Sequence, residues 1–213
     1  MAGELIGGAL GQYLDALVPP RNEELRKMEA YAREVDFPIV GPACGYFCYQ
    51  ITRMLGARKV FELGSGYGYS TAWFARGVQE NGGGVVHHVV WHEDLSLKAR
   101  EHLTAMGYGD IIQYRVGEAV QSLRDTPGPF DIIFNDIEKQ GYPASLPVIQ
   151  EKLRPGGVLI VDNMLWHGAI LDHQDQGAAT QAIRELTRLL TTSDAWITTL
   201  VPIRDGLMVA MKR

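Results

Sequence analysis

The sequence predicts an α/β protein built on a doubly wound, mostly parallel sheet. From Lys59 onward, short and continuously apolar runs recur, amphipathic stretches long enough for helices separate them, and only the last two runs are joined by a turn instead. Strands covered by crossover helices on both faces read as continuous apolar runs, because neither face meets water.

Taken in chain order, the N-terminal third reads as helical, with apolar residues at helical spacing over Leu5 to Leu17, Leu25 to Val35 and Tyr46 to Leu55. Pro19-Pro20 breaks the first from the second, and Pro38 with a Gly41-Pro42 turn separates the second from the third. The strands KVFEL, VVHHVVW, IIQYRV, FDIIFND and GVLIVDN follow, each with a candidate helix behind it. AWITTLVPI and GLMVAM are joined at Arg204-Asp205 and form an antiparallel pair at the sheet's end. No repeat, linker or low-complexity tract interrupts the 213 residues, so the expectation is one domain over 1–213, of which 1–56 is the helical N-terminal part.

Composition excludes some partners. The net charge of −5, with no block of basic residues, argues against nucleic acid. The first residues lack the basic start and apolar core of a signal peptide, and no run is long enough to span a membrane, so a cytoplasmic location without a membrane partner is expected. Cys44 and Cys48, four apart on a helix, read as small buried apolar residues and not as a disulfide or a zinc site.

In doubly wound sheets, ligands bind beyond the carboxyl ends of the strands. Glu62-Leu63-Gly64-Ser65-Gly66-Tyr67-Gly68-Tyr69-Ser70 follows the first strand and leads into a helix, the arrangement in which backbone N–H groups approach an anionic ligand closely. Alone it also fits a tight connection without a ligand, or a dinucleotide site. Three features favour S-adenosylmethionine (SAM): the acid Glu62 inside the strand end, the spacing G-x-G-x-G, and Gly117-Glu118-Ala119 after the third strand, where an acid can accept a hydrogen bond from an adenine amino group.

The next two strand ends carry Asp136, then Asp162 and Asn163. Strands joined by one crossover helix usually neighbour each other, so these side chains can converge. Two carboxylates and an amide are hard oxygen donors suited to magnesium, manganese or calcium. The structural alternative is that Asp136 caps a helix and Asp162-Asn163 makes a turn; Lys139, one helical turn beyond Asp136, favours the functional reading.

With these residues in place the chain resembles the class I SAM-dependent O-methyltransferases of the caffeoyl-CoA and catechol type. The most specific matches are the D-x-x-K from Asp136 to Lys139 and the D-N-x-L-W-x-G from Asp162 to Gly168; the likeness extends from Phe37 to the C-terminus. It implies a seven-stranded sheet with an antiparallel last strand, a divalent cation on Asp136, Asp162 and Asn163, Lys139 as general base beside Asp136, and a homodimer. It implies cofactor contacts from Glu62, Gly64, Ser65, Gly66, Gly68, Tyr69, Ser70, Gly117, Glu118, Ala119 and Asp136. The acid that usually holds the ribose after the second strand is replaced by Val90; of His92 and Glu93, Glu93 is the expected substitute, the alternative being weaker cofactor binding. Thr187 stands where the family often has asparagine.

The expected acceptor is a small hydroxylated aromatic, with Trp166, His167 and Tyr46 as candidate pocket walls. His87 and His88, on opposite faces of the second strand, read as structural. Two rivals remain: a catalytically silent SAM-binding protein of the same fold, and a nicotinamide-dependent dehydrogenase, for which no catalytic Tyr-Lys, His or Cys set can be placed.

Overall fold

The computed structural model describes residues 8–213. Three helices, α1 (Ala9–Ala16), α2 (Glu23–Glu34) and α3 (Gly41–Met54), precede the sheet. The part of the first predicted helix that falls on Leu5 to Gly7 lies outside the described residues. Asn22 caps α2 by accepting from Leu25 N at 2.8 Å, and Glu23 and Glu24 occupy its positive first turn. The expected Gly41-Pro42 turn is instead the start of α3. Proline costs nothing in a helix's first turn, where the N–H it lacks has no intrahelical partner.

From there strands and helices alternate: β1 (Lys59–Leu63), α4 (Tyr69–Glu80), β2 (Val85–Val90), α5 (Glu93–Ala105), β3 (Ile112–Val116), α6 (Ala119–Asp125), β4 (Phe130–Asn135), α7 (Tyr142–Lys152), β5 (Leu153–Val161), α8 (Ala178–Thr192), β6 (Trp196–Val201) and β7 (Leu207–Lys212). The seven strands lie in the order β3-β2-β1-β4-β5-β7-β6. All neighbours pair in parallel except β7, which runs against both β5 and β6.

Alternation along the strands sorts the core into two layers. Val60, Ile132, Phe134 and Ile160 face α2 to α5, packing with Met28, Trp73 and Phe74. Phe61, Leu63, Ile133 and Leu159 face α6 to α8, packing with Leu123, Ile149 and Leu186. His88 is fully buried with Nδ1 3.1 Å from Thr71 Oγ1, and His87 stacks on Phe61, so both are packing residues. Cys44 and Cys48 are buried and unpaired. Among the described residues no helix is long and apolar enough to cross a membrane.

Two features of this order position the site. The chain winds outward in opposite directions from β1 and β4, which opens a crevice at their carboxyl ends. Because β7 is antiparallel and lies between β5 and β6, with Met208 opposite Val161, the β6–β7 turn is delivered to that same rim.

Candidate active site

A cleft of about 330 Å³ opens at this rim. Its walls include Gly64, Ser65, Gly66, Tyr69 and Ser70 from the glycine turn, Gly117 and Ala119 after β3, and Asp136, Lys139, Asp162 and Asn163 after β4 and β5. Elements distant in sequence thus meet in one cavity, as the spacing predicts.

The turn is fixed by hydrogen bonds and close packing. Ser65 N donates to Val89 O and Val89 N to Ser65 Oγ, both at 3.0 Å, which ties the turn to β2. Gly64 adopts φ +85°, and a Cβ there would lie 2.5 Å from the carbonyl oxygen of Asp136, so only glycine lets the turn press against the end of β4. Gly68, φ +93°, is the N-cap of α4; a Cβ on it would meet Ala99, so its constraint is packing, and it does not border the cleft. From the other side α2 braces the turn: Tyr67 OH donates to Met28 O at 2.8 Å and Tyr69 OH to Glu29 at 2.9 Å.

Glu62 lies beneath the turn, wholly buried and off the cleft wall. Burial pushes its carboxyl up to about 8. The hydroxyls of Ser70, Thr71 and Ser65 offset part of that rise, yet none is in hydrogen-bonding geometry with either carboxyl oxygen.

At the ends of β4 and β5 two acids face two cations. Lys139 Nζ donates to Asp136 Oδ1 at 2.7 Å and to Ile137 O at 3.3 Å. Arg204 Nη1 donates to Asp162 Oδ2 at 3.2 Å. Asp162 is 1% exposed, its other oxygen has no partner, and burial with the neighbouring Asp136 charge pushes it up to about 7. Burial also raises Asp136, against the pull of Lys139. Tyr142 OH donates to the Asp162 carbonyl at 2.9 Å and fixes the strand end. Asn163 holds a left-handed φ of 58°, and its Nδ2 lies 3.5 Å from Asp205 Oδ2, which leaves its carbonyl oxygen free. The described residues contain no cluster of three or more His, Cys, Asp or Glu able to hold a metal, so a cation here would rest on two carboxylates and one amide. That donor set fits a hard divalent ion, and the unpartnered Asp162 oxygen is the observation that supports the fit.

Several expected residues lie elsewhere. Glu93 is exposed at the start of α5 and outside the cleft; the residues after β2 that border it are Trp91, His92 and Leu95. Glu118 turns onto its own helix, accepting from the N–H groups of Val120 and Gln121 as the N-cap of α6. Tyr46 stacks on Tyr49 and meets Trp73 edge-on in the α3–α4 interface, away from the cleft. Trp166 packs on the other core layer, within a left-handed kink that it shares with His167. His167 is exposed and Thr187 Oγ1 bonds its own helix at Ile183 O. Phe37, Pro38 and Ile39, not expected as pocket walls from the sequence, supply the apolar wall instead, and Arg204, read there only as part of a turn, reaches Asp162.

A family model described as O-methyltransferase matches residues 16–213. A protein named catechol O-methyltransferase from Niastella koreensis is 29% identical over 181 residues, covering 81% of each chain. The O-methyltransferase from Bacillus cereus, solved in complex with SAH, superposes with a TM-score of 0.86 at 29% identity, covering 96% of this chain and 97% of that one. TomG from Streptomyces achromogenes, solved with SAM, gives 0.86 at 27% identity and covers 96% of both chains.

Proposed function

The chain belongs to the O-methyltransferase family and is a SAM-dependent enzyme, and we propose that its acceptor is a small phenol, catechol-like in having adjacent hydroxyls, and that a divalent cation on Asp136, Asp162 and Asn163 assists the transfer. One observation carries this reading: the glycine turn and the Asp136, Lys139, Asp162, Asn163 group border the same cleft, with Gly64 packed directly against the Asp136 backbone.

A phenolic hydroxyl, with a pKa of about 10, is mostly protonated at neutral pH and a poor nucleophile. A bound divalent cation stabilises the ionised hydroxyl electrostatically. Asp136 and Asp162 would hold that positive charge and Asn163 would add a neutral oxygen, while Tyr142 and Asp205 orient these residues from behind. With Asp136 so compensated, Lys139 would be released from its ion pair, and in its neutral amine form its Nζ would accept the hydroxyl proton. Transfer from a sulfonium to an oxyanion consumes both charges, so the chain contributes chiefly by positioning the reactants. The bracing of the glycine turn by α2, β2 and β4 serves that end.

The test is methyl transfer to a panel of catechols and monophenols before and after EDTA treatment. Chelation stops the transfer and magnesium restores it; full activity in metal-free protein would remove the cation, and a preference for monophenols would remove the catechol.

A further inference from the structure

Asp136 and Asp162 already have a cation each, Lys139 and Arg204, so the group is close to neutral before any metal ion enters. Glu138 borders the same cleft and Asp205 stands behind Asn163, where it accepts from His167 N at 2.6 Å; His167 Nδ1 is 3.8 Å from its other oxygen. A divalent ion arriving at the free oxygen of Asp162 therefore meets, on the same carboxylate, a guanidinium that cannot lose its proton and repels it.

The fold gives that guanidinium somewhere to go. Arg204 borders both the active-site cleft and a second cavity of about 380 Å³, whose walls include Asp15, Glu29 and Asp36. Glu29 is engaged by Arg21 and Tyr69, and Asp15 accepts from Ala43 N, while Asp36 is exposed with Arg33 in the same wall. The backbone of Arg204 is held at φ 52°, a conformation unfavourable for a residue with a Cβ. Such strain is often retained where a side chain must be aimed. Here it aims a long side chain across the boundary of two cavities, both containing carboxylates.

We propose that Arg204 is an internal counter-cation that occupies the Asp162 carboxylate in the metal-free enzyme, sets the affinity for the divalent ion by competing with it, and withdraws toward the Asp15 and Asp36 side of the second cavity when the ion binds. This rests on the reading of Asp136, Asp162 and Asn163 as cation ligands. Removing the positive charge strengthens metal binding, and keeping it does not.

The experiment is titration of the full chain with Mn²⁺, following the free-ion electron paramagnetic resonance signal without acceptor, for the wild type and Arg204→Gln, Arg204→Gly, Arg204→Lys and Asp162→Asn. Arg204→Gly suits the left-handed backbone and guards against a folding artefact, with circular dichroism as the check. Arg204→Gln and Arg204→Gly tighten Mn²⁺ binding about tenfold or more, as expected for loss of a charge-assisted contact, while Arg204→Lys stays within about threefold of the wild type. Unchanged or weaker binding in Arg204→Gln and Arg204→Gly, with Asp162→Asn abolishing it, overturns the competition and leaves the cation site standing. Equal tightening in Arg204→Lys also overturns it, because charge is then not the cause. Binding that is indifferent to Asp162→Asn, or absent from every protein, overturns the cation site and the competition together.

Discussion

Glu62→Gln makes the wild-type protein's buried carboxyl measurable. In the folded chain Glu62 is held up at about 8, against an ordinary value of 4.5, chiefly by burial. The folded state therefore keeps a proton that the unfolded state has released over most of the interval between those values. Wherever the folded state binds more protons, stability falls as pH rises. The wild type is unpenalised below the unfolded value, loses about 1.36 kcal/mol per pH unit above it, and stops losing beyond the folded value. Glutamine has nearly the same shape and carries no charge at either pH, so it removes the ionisation without enlarging or emptying the space. Between about pH 5.5 and 7.5 the stability of the variant relative to the wild type should thus grow by roughly 3 kcal/mol, a ceiling set by complete burial. Urea unfolding at both pH values for both proteins reads this directly. Parallel pH profiles would refute the reasoning and mean that the folded chain ionises Glu62 without cost.

Lys139→Ala lowers turnover by roughly 10²–10⁴-fold, the usual worth of general-base assistance, and leaves SAM affinity unchanged by calorimetry; undiminished turnover takes Lys139 out of the chemistry. Gly64→Ala meets both a positive φ and the Asp136 carbonyl at 2.5 Å, so it destabilises by at least about 1–3 kcal/mol and weakens SAM binding; a denaturation midpoint equal to that of the wild type contradicts the packing described. Trp91 borders the cleft and Glu93 does not. Trp91→Ala weakens SAM roughly tenfold through lost aromatic contact, whereas Glu93→Ala has no effect; the reverse result returns the ribose contact to Glu93.

The parts of this molecule that obey a local rule were legible in its sequence. The inner parallel strands announced themselves because burial on both faces leaves few polar positions inside KVFEL-like runs, Glu62 being an informative exception, whereas the edge strand β3 carries Gln113 and Arg115 and is mostly unburied. The convergence of Asp136, Asp162 and Asn163 followed from adjacency of β4 and β5. What sequence could not deliver was direction. Tyr46 and Trp166 sit close in sequence to the motifs, yet Tyr46 points from α3 toward Trp73, and a left-handed kink turns Trp166 onto the far core layer. Glu118 was drawn to its own helix by the unpaired N–H groups of α6, a short-range competitor for any ligand. Arg204 was hidden for a topological reason: only insertion of β7 between β5 and β6 brings the last hairpin turn to Asp162.

Charge at the rim explains why these placements matter together. Three carboxyls, Glu62, Asp136 and Asp162, are gathered where burial raises all of them. Glu62 escapes by keeping its proton, and the other two escape by holding Lys139 and Arg204. Apolar side chains at those positions would cost the fold less, since buried ionic groups seldom stabilise relative to well-packed hydrophobic ones. Their concentration at one edge of an otherwise apolar sheet is the pattern of a site whose ionisation is tuned for chemistry. The two solutions also differ in what they permit. A proton on Glu62 needs no partner and leaves the floor of the glycine turn unchanged, whereas the two ion pairs above it, Lys139 with Asp136 and Arg204 with Asp162, sit at the cleft where the proposed cation would replace them. A fixed seat for the methyl donor beside ion pairs that the proposed cation would replace is the division of labour that the proposed transfer requires.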